Sequence, residues 1–263
     1  MPSVKLAGLF KREPVFNQQV DLNSRHHTAR VLYAAFLASL LGVSVAVIAL
    51  KALTIKFIFE NRNTGFMFET NGPEPVVLAA LPRMLYFAPA KIAIVAAAVS
   101  IMVVIGHGIF VVKDWHEGAK TQCYSFRRNS MYLHLTNSIL VLFSLVSIYV
   151  THKSTSHFFP GYVDFKAKKP GDNGVRYNIG TFDLETWSCE LKTADGAQMV
   201  WQDYGMQCEI EYAGRMVMIP FMVLAFTLAG LTIWGLVGGK RDPDGERMKT
   251  EDVGLEMGKF NAI

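Results

Sequence analysis

The side chains best placed to do chemistry in this sequence are two histidines, His107 and His134, each set in a long run without other ionisable groups. An ionisable group inside a membrane-length apolar stretch is a functional suspect, because burying it there costs free energy that a partner or ligand must offset. His107 stands six residues before Lys113 and His134 six after Arg128, so on antiparallel helices the two rings lie at matching depth. Gly106 and Gly108 flank the first, and Asn137 lies one helical turn beyond the second. Imidazoles so placed could hold a haem iron from opposite faces, which would make the chain a transmembrane electron carrier. They could also hydrogen-bond to each other. Transmembrane cytochromes of the b type usually carry further paired histidines, whereas His26, His27, His116, His152 and His157 fall outside the apolar runs. The hydrogen-bonded reading is therefore favoured, and no cofactor is expected.

The three cysteines offer other chemistry. Cys189 and Cys208 share one polar stretch in an otherwise cysteine-poor chain and read as a disulfide in an oxidising compartment. Closing that loop should stabilise it by about 3 kcal/mol on the chain-entropy view. No Cys-x-x-Cys spacing points to zinc, and no metal is expected. Cys123, beside Tyr124, Phe126, Arg127 and Arg128, suits palmitoylation or a free reduced thiol.

Catalytic patterns are absent from the apolar runs. They hold no aspartate pair, no Ser-His pair, no His-Glu-x-x-His and no acidic group at mid-depth, so proteolysis and proton-coupled transport have no residues to carry them. Four helices are also few for alternating access. We expect no enzymatic activity. The net charge of +4 is scattered rather than gathered on one basic face, which gives nucleic-acid binding no support.

The elements that must position these residues are four apolar runs, Val31–Leu50, Ile92–Val112, Met131–Val150 and Met216–Gly238. Each is long enough, at about 1.5 Å per residue, to cross a hydrocarbon core of about 30 Å. With 51% hydrophobic and 18% charged residues and a mean hydropathy of +0.24, the composition agrees. The fold class expected is an all-α membrane protein: a four-transmembrane-helix bundle with a small disulfide-closed, partly β extracytosolic loop. The expected segments are a cytosolic 1–30, a transmembrane domain 31–240 that includes the loop 151–215, and a cytosolic tail 241–263. Lys and Arg are about twice as dense near the membrane on the side of the termini and the 113–130 loop, which puts those segments in the cytosol. The cysteine pair argues the same orientation. A plasma-membrane or secretory-pathway location follows.

Within the loops, Pro75–Pro89 reads as an interfacial amphipathic segment anchored by Tyr86 and Phe87. Phe182–Thr186 and Cys208–Tyr212 alternate with period two and read as half-buried strands. A two-residue turn at Asp195-Gly196 would set Cys189 opposite Gln202, so a disulfide to Cys208 demands a longer connection through Met199, Trp201 and Tyr204. Trp187, Trp201, Tyr204 and Tyr212 could form a partner-contact surface or the loop's own core. Small residues four apart, Ala35 with Ser39, Gly42 with Ala46, Ala225 with Ala229 and Gly235 with Gly239, suit close helix packing or self-association.

Four spans with cytosolic ends, a short inner loop and a cysteine pair in the second outer loop resemble the tetraspan class, MARVEL-type proteins above all. Thr186-Trp187-Ser188-Cys189 is similar to stretches in uncharacterised membrane proteins of filamentous fungi. The chain departs from true tetraspanins, because Cys189 is followed by Glu190-Leu191 rather than Cys-Gly. It departs from claudin-like proteins, whose cysteine pair lies in the first outer loop. The resemblance implies a membrane organiser or partner-binding scaffold in contact with the lipid bilayer and other membrane proteins. The haem carrier is one alternative, and an accessory subunit of a channel or transporter is another.

Overall fold

The computed structural model describes residues 24–72, 74–117, 124–168 and 174–237. The N-terminal segment to residue 23, Cys123, Gly239 and the tail lie outside the described residues. The elements are α1 (Ser24–Asn61), β1 (Gly65–Phe68), β2 (Val76–Ala79), α2 (Ala88–Glu117), α3 (Tyr124–Lys153), α4 (Pro160–Ala167), α5 (Leu184–Leu191), α6 (Trp201–Met216) and α7 (Met218–Val237). Four helical stretches are long and apolar enough to cross a bilayer: Thr28–Asn61, Ala88–His116, Ser125–Lys153 and Gln198–Leu236. The chain is a multi-pass membrane protein of four-span architecture.

The helices outrun the uncharged stretches that announce them. Lys51 and Lys56 do not end α1, which continues to Asn61, and Glu211 and Arg215 belong to the fourth helical stretch. The helices continue past the first charged residues because their backbone hydrogen bonds close within the helix, whatever the polarity of the side chains.

The chain forms two compact units. Among the described residues, one gathers 24–42, 99–117, 124–139 and 223–237; the other gathers those within Val43–Ala98 and Leu140–Met222. In the first, Leu37 and Leu40 of α1, Val104 and Val111 of α2 and Leu228 of α7 are buried. Ala225 and Ala229 are buried too, while Ala35, Ser39 and Gly42 on α1 remain exposed. Arg30 donates through Nε to Asp114 Oδ2 at 2.8 Å and through Nη2 to the Asp114 carbonyl at 2.6 Å. Arg127 serves the Gly235 carbonyl at 3.0 Å, in the last turn of α7, where helix acceptors lack partners of their own.

In the second unit the connection between α1 and α2 and the stretch between α3 and α6 are woven into one module. β1 and β2 pair antiparallel, Gly65 opposite Ala79 and Phe68 opposite Val76. Alternation along β1 turns Phe66 and Phe68 inward. The stretch between α4 and α5 then joins this ribbon: Val175 N–H donates to the Val77 carbonyl at 2.7 Å, and Ala79 N–H to the Val175 carbonyl at 2.8 Å. Further on, Phe182 N–H reaches the Met84 carbonyl at 3.0 Å and Tyr86 N–H the Phe182 carbonyl at 2.8 Å. Phe66, Phe68, Leu78, Tyr177, Phe182 and Trp187 form the core beneath. Gly180 turns the chain with φ of 73°, a region that L side chains rarely adopt, and a Cβ there would strike Ser156.

Two sequence expectations are corrected here. Phe182–Thr186 is not a strand: Phe182 makes a single bridge to Leu85, and from Leu184 the chain is helical. Cys208–Tyr212 lies within α6. Five alternating residues fit either period. The helical stripe shows only over a longer window, as Leu184, Trp187 and Leu191 on α5 and Tyr204, Gln207, Cys208 and Glu211 on α6. Pro75–Pro89 supplies β2 and the Leu85 bridge, with partners at Val175 and Phe182 about 100 residues away, and leaves Tyr86 and Phe87 exposed. The β part of the fold therefore comes from the connection between α1 and α2, with single bridges from Val175 and Phe182.

Candidate functional site

The two spans carrying histidine meet in the first unit. His107 Nδ1 and His134 Nε2 lie 2.8 Å apart, both rings buried, with centroids 5.0 Å apart. One turn along α3, Asn137 Oδ1 accepts from Ser100 Oγ at 2.9 Å. Tyr33 tilts against His107 at 5.2 Å and donates its hydroxyl to the Leu231 carbonyl. His134 Nδ1 and Asn137 Nδ2 are buried without a hydrogen-bond partner among the described residues. Metal–nitrogen bonds of about 2 Å would hold two ligating nitrogens on opposite sides of an iron about 4 Å apart. These two instead stand 2.8 Å apart, at hydrogen-bond distance, so the pair does not fit a haem between its rings. What the arrangement does is tie α2 to α3 inside a low-dielectric bundle.

A second polar cluster, in the other unit, was not anticipated. Lys51 Nζ donates to Glu211 Oε2 at 2.8 Å, with both side chains buried. Thr54 donates to Glu211 Oε1, and Gln207 Nε2 does so at 3.0 Å. Arg215 grips Glu185 with two bonds of 2.8 Å, a fork matched to a carboxylate. His152 Nδ1 lies 2.9 Å from Asp183 Oδ2 and 3.7 Å from Glu185 Oε2. Asp183 Oδ1 meanwhile caps α5 by accepting from Thr186 N–H at 3.3 Å. A cavity of about 40 Å³ lies among Lys51, Thr54, Asp183, Glu185, Glu211 and Arg215.

His152, Asp183 and Glu185 are close enough to hold an ion. Their polar atoms are already engaged, however, by the α5 cap and the Arg215 fork, which gives the group a structural role. Sequence reasoning missed the cluster because Lys51 and Glu211 were assigned to loops. One signal was available: Asp183 three residues before Thr186 is a capping pattern, and Gly214 follows Glu211 by one turn. Gly214 matters because a Cβ there would lie 2.9 Å from Lys51 Nζ.

The aromatic set divides. Trp187 is fully buried, and its Nε1–H donates to the Ala80 carbonyl at 2.9 Å. Tyr204, also buried, donates to the same carbonyl at 2.6 Å. Both belong to the module's core. Trp201 and Tyr212 are exposed, Trp201 held by an Nε1–H bond to the Ala194 carbonyl at 2.9 Å. Cys189 and Cys208 are bonded, joining α5 to α6 with the connection through Met199, Trp201 and Tyr204 that the pairing requires. In the core, burial pushes the Tyr177 phenol above its ordinary range, against a lowering bond from Phe159 N–H. Comparison with family models, with curated proteins and with solved structures gave no match to this chain.

Proposed function

We propose that the chain is a non-enzymatic tetraspan organiser, with both termini in the cytosol, whose stapled outer module contacts other membrane proteins. The observation that carries this reading is the division of the aromatic residues. The module has a complete core around Trp187, and it leaves Met199, Trp201 and Met206 exposed near the start of α6. Exposed Trp and Met are the side chains that protein contacts favour, since they give large contact area. α7 alone has twenty residues, about 30 Å of helix, which accounts for the hydrocarbon crossing. α6 adds sixteen more, about 24 Å, so Trp201 at its start is too far along the helix for a headgroup anchor. The buried cluster that pairs Lys51 with Glu211 and Arg215 with Glu185 is internally compensated, which supports a structural role rather than turnover.

Crosslinking in native membranes tests the proposal, with Trp201→Ala compared to the unaltered chain. The reading predicts selective loss of one captured protein while the Cys189–Cys208 bond and expression persist. Unchanged capture, or loss of folding without selective loss of a partner, would sink it. Recovery of a larger polytopic protein in fixed ratio would identify the partner as a channel or transporter that this chain accompanies.

A further inference from the structure

One face of α6 is packed and the other is open. Tyr204, Gln207, Cys208 and Glu211 are buried against the second unit. On the open side Met199, just before the helix, is 72% exposed and Met206 is 62% exposed. Spacings of three and four residues set Met199, Asp203, Met206 and Glu209 in a single stripe, in which thioether and carboxylate alternate. Two more exposed acids stand beside its start: Asp195 follows Ala194, whose carbonyl holds Trp201, and Glu69 N–H donates to the Gly196 carbonyl at 2.9 Å. Among the described residues Glu69, Asp195, Asp203 and Glu209 enter no salt bridge. Residues 193–214 contain no Lys, Arg or His, in a chain whose net charge is +4. The helix dipole accounts for an acid in the first turn, at Asp203, but not for Glu209 in the middle of α6 or for the two acids on other elements.

We propose that this stripe takes a basic segment of a partner membrane protein, one that sets Lys or Arg beside apolar side chains. The inference rests on the partner-contact reading above and names the chemistry of that partner. Charge complementarity carries it: a face whose charges are all negative attracts a positive segment and repels an acidic one. The two methionines supply the apolar contact between the carboxylates, in the arrangement of apolar centre and charged rim that interfaces use. A second copy of the chain is disfavoured as the occupant, because a twofold contact would set Asp203 and Glu209 against the same acids. A lipid headgroup is disfavoured by distance. Glu209 stands about 14 Å of helix before Met218, where α7 begins, and a headgroup layer is about 5–8 Å deep.

The test places a photocrosslinking side chain in the full protein in native membranes, Met206→p-benzoylphenylalanine, and sequences the captured segment by mass spectrometry. The expected product is a segment of another membrane protein with more Lys and Arg than Asp and Glu. Synthesised as a free peptide, that segment should bind the unaltered chain in phosphatidylcholine discs about fivefold more tightly than it binds Asp203→Asn with Glu209→Gln, the ratio that two exposed ion pairs give. The difference should shrink in about 1 M salt, which screens exposed charges beyond about 3 Å. Glu209→Gln alone, with a loss of about twofold, decides the matter if the double variant does not keep its Cys189–Cys208 bond. A neutral or acidic captured segment, a lipid adduct, capture of a second copy, or equal binding by the folded neutralised variants would overturn the proposal. If Trp201→Ala loses a captured protein while the side chain at Met206 captures none, this inference fails and the partner-contact reading stands. If neither position engages a protein, both fail.

Discussion

Lys51 and Glu211 stand 160 residues apart in sequence and 2.8 Å apart in space, and Gly214 lies against the lysine's end. Removing one partner leaves a buried charge uncompensated. Lys51→Met or Glu211→Gln should each cost about 3–5 kcal/mol, while the double change Lys51→Met with Glu211→Leu should recover most of the loss. Thermal unfolding in detergent, followed by tryptophan fluorescence, reads all three. Additive losses would show that the two residues act independently.

The division of the aromatic residues gives a contrast within one module. Trp187→Ala opens a cavity and orphans part of the Ala80 carbonyl's bonding, so a loss of about 3–5 kcal/mol is expected. Trp201→Ala should cost about 1 kcal/mol or less, the worth of one exposed hydrogen bond. Similar melting shifts for both variants would contradict the division.

The buried phenol of Tyr177 makes the module sensitive to base. Its folded value is raised, so the stability it contributes is full below the ordinary tyrosine value of about 10 and is lost as pH rises through the higher folded one. Melting of the unaltered chain should therefore fall more steeply above about pH 10 than that of Tyr177→Phe. Parallel curves would remove Tyr177 as the cause.

The histidine pair should behave as an interhelical link. His107→Leu strands His134 and should cost about 1–2 kcal/mol, with the double leucine variant milder. The purified protein should show no Soret absorption. A Soret band lost in either variant would reverse the conclusion that the pair does not fit a haem.

The proposed orientation rests on the disulfide and can be tested through it. With Cys189 and Cys208 bonded outside the cytosol, neither should take an impermeant maleimide on intact membranes until reductant is added. Cys123 should react only after permeabilisation, unless acylated. Labelling of Cys189 from the cytosolic side without reductant would invert the proposed topology.

The four spans, the cysteine pairing and the matched depth of His107 and His134 were legible in the sequence, because each is a local property. A run of uncharged residues specifies a membrane helix without reference to anything else in the chain. The ion-pair cluster and the two-loop module were not legible, because each joins residues far apart. Val175 completes a ribbon begun at Val77, and Trp187 and Tyr204 are satisfied by one carbonyl at Ala80. Alternation over five residues cannot separate strand from helix at Phe182 or Cys208, so non-local partners decided it. Lys51 reads as the end of a span until Glu211 stands opposite it. A charge is kept inside a helix bundle by its counter-charge, and only the tertiary structure brings the two together.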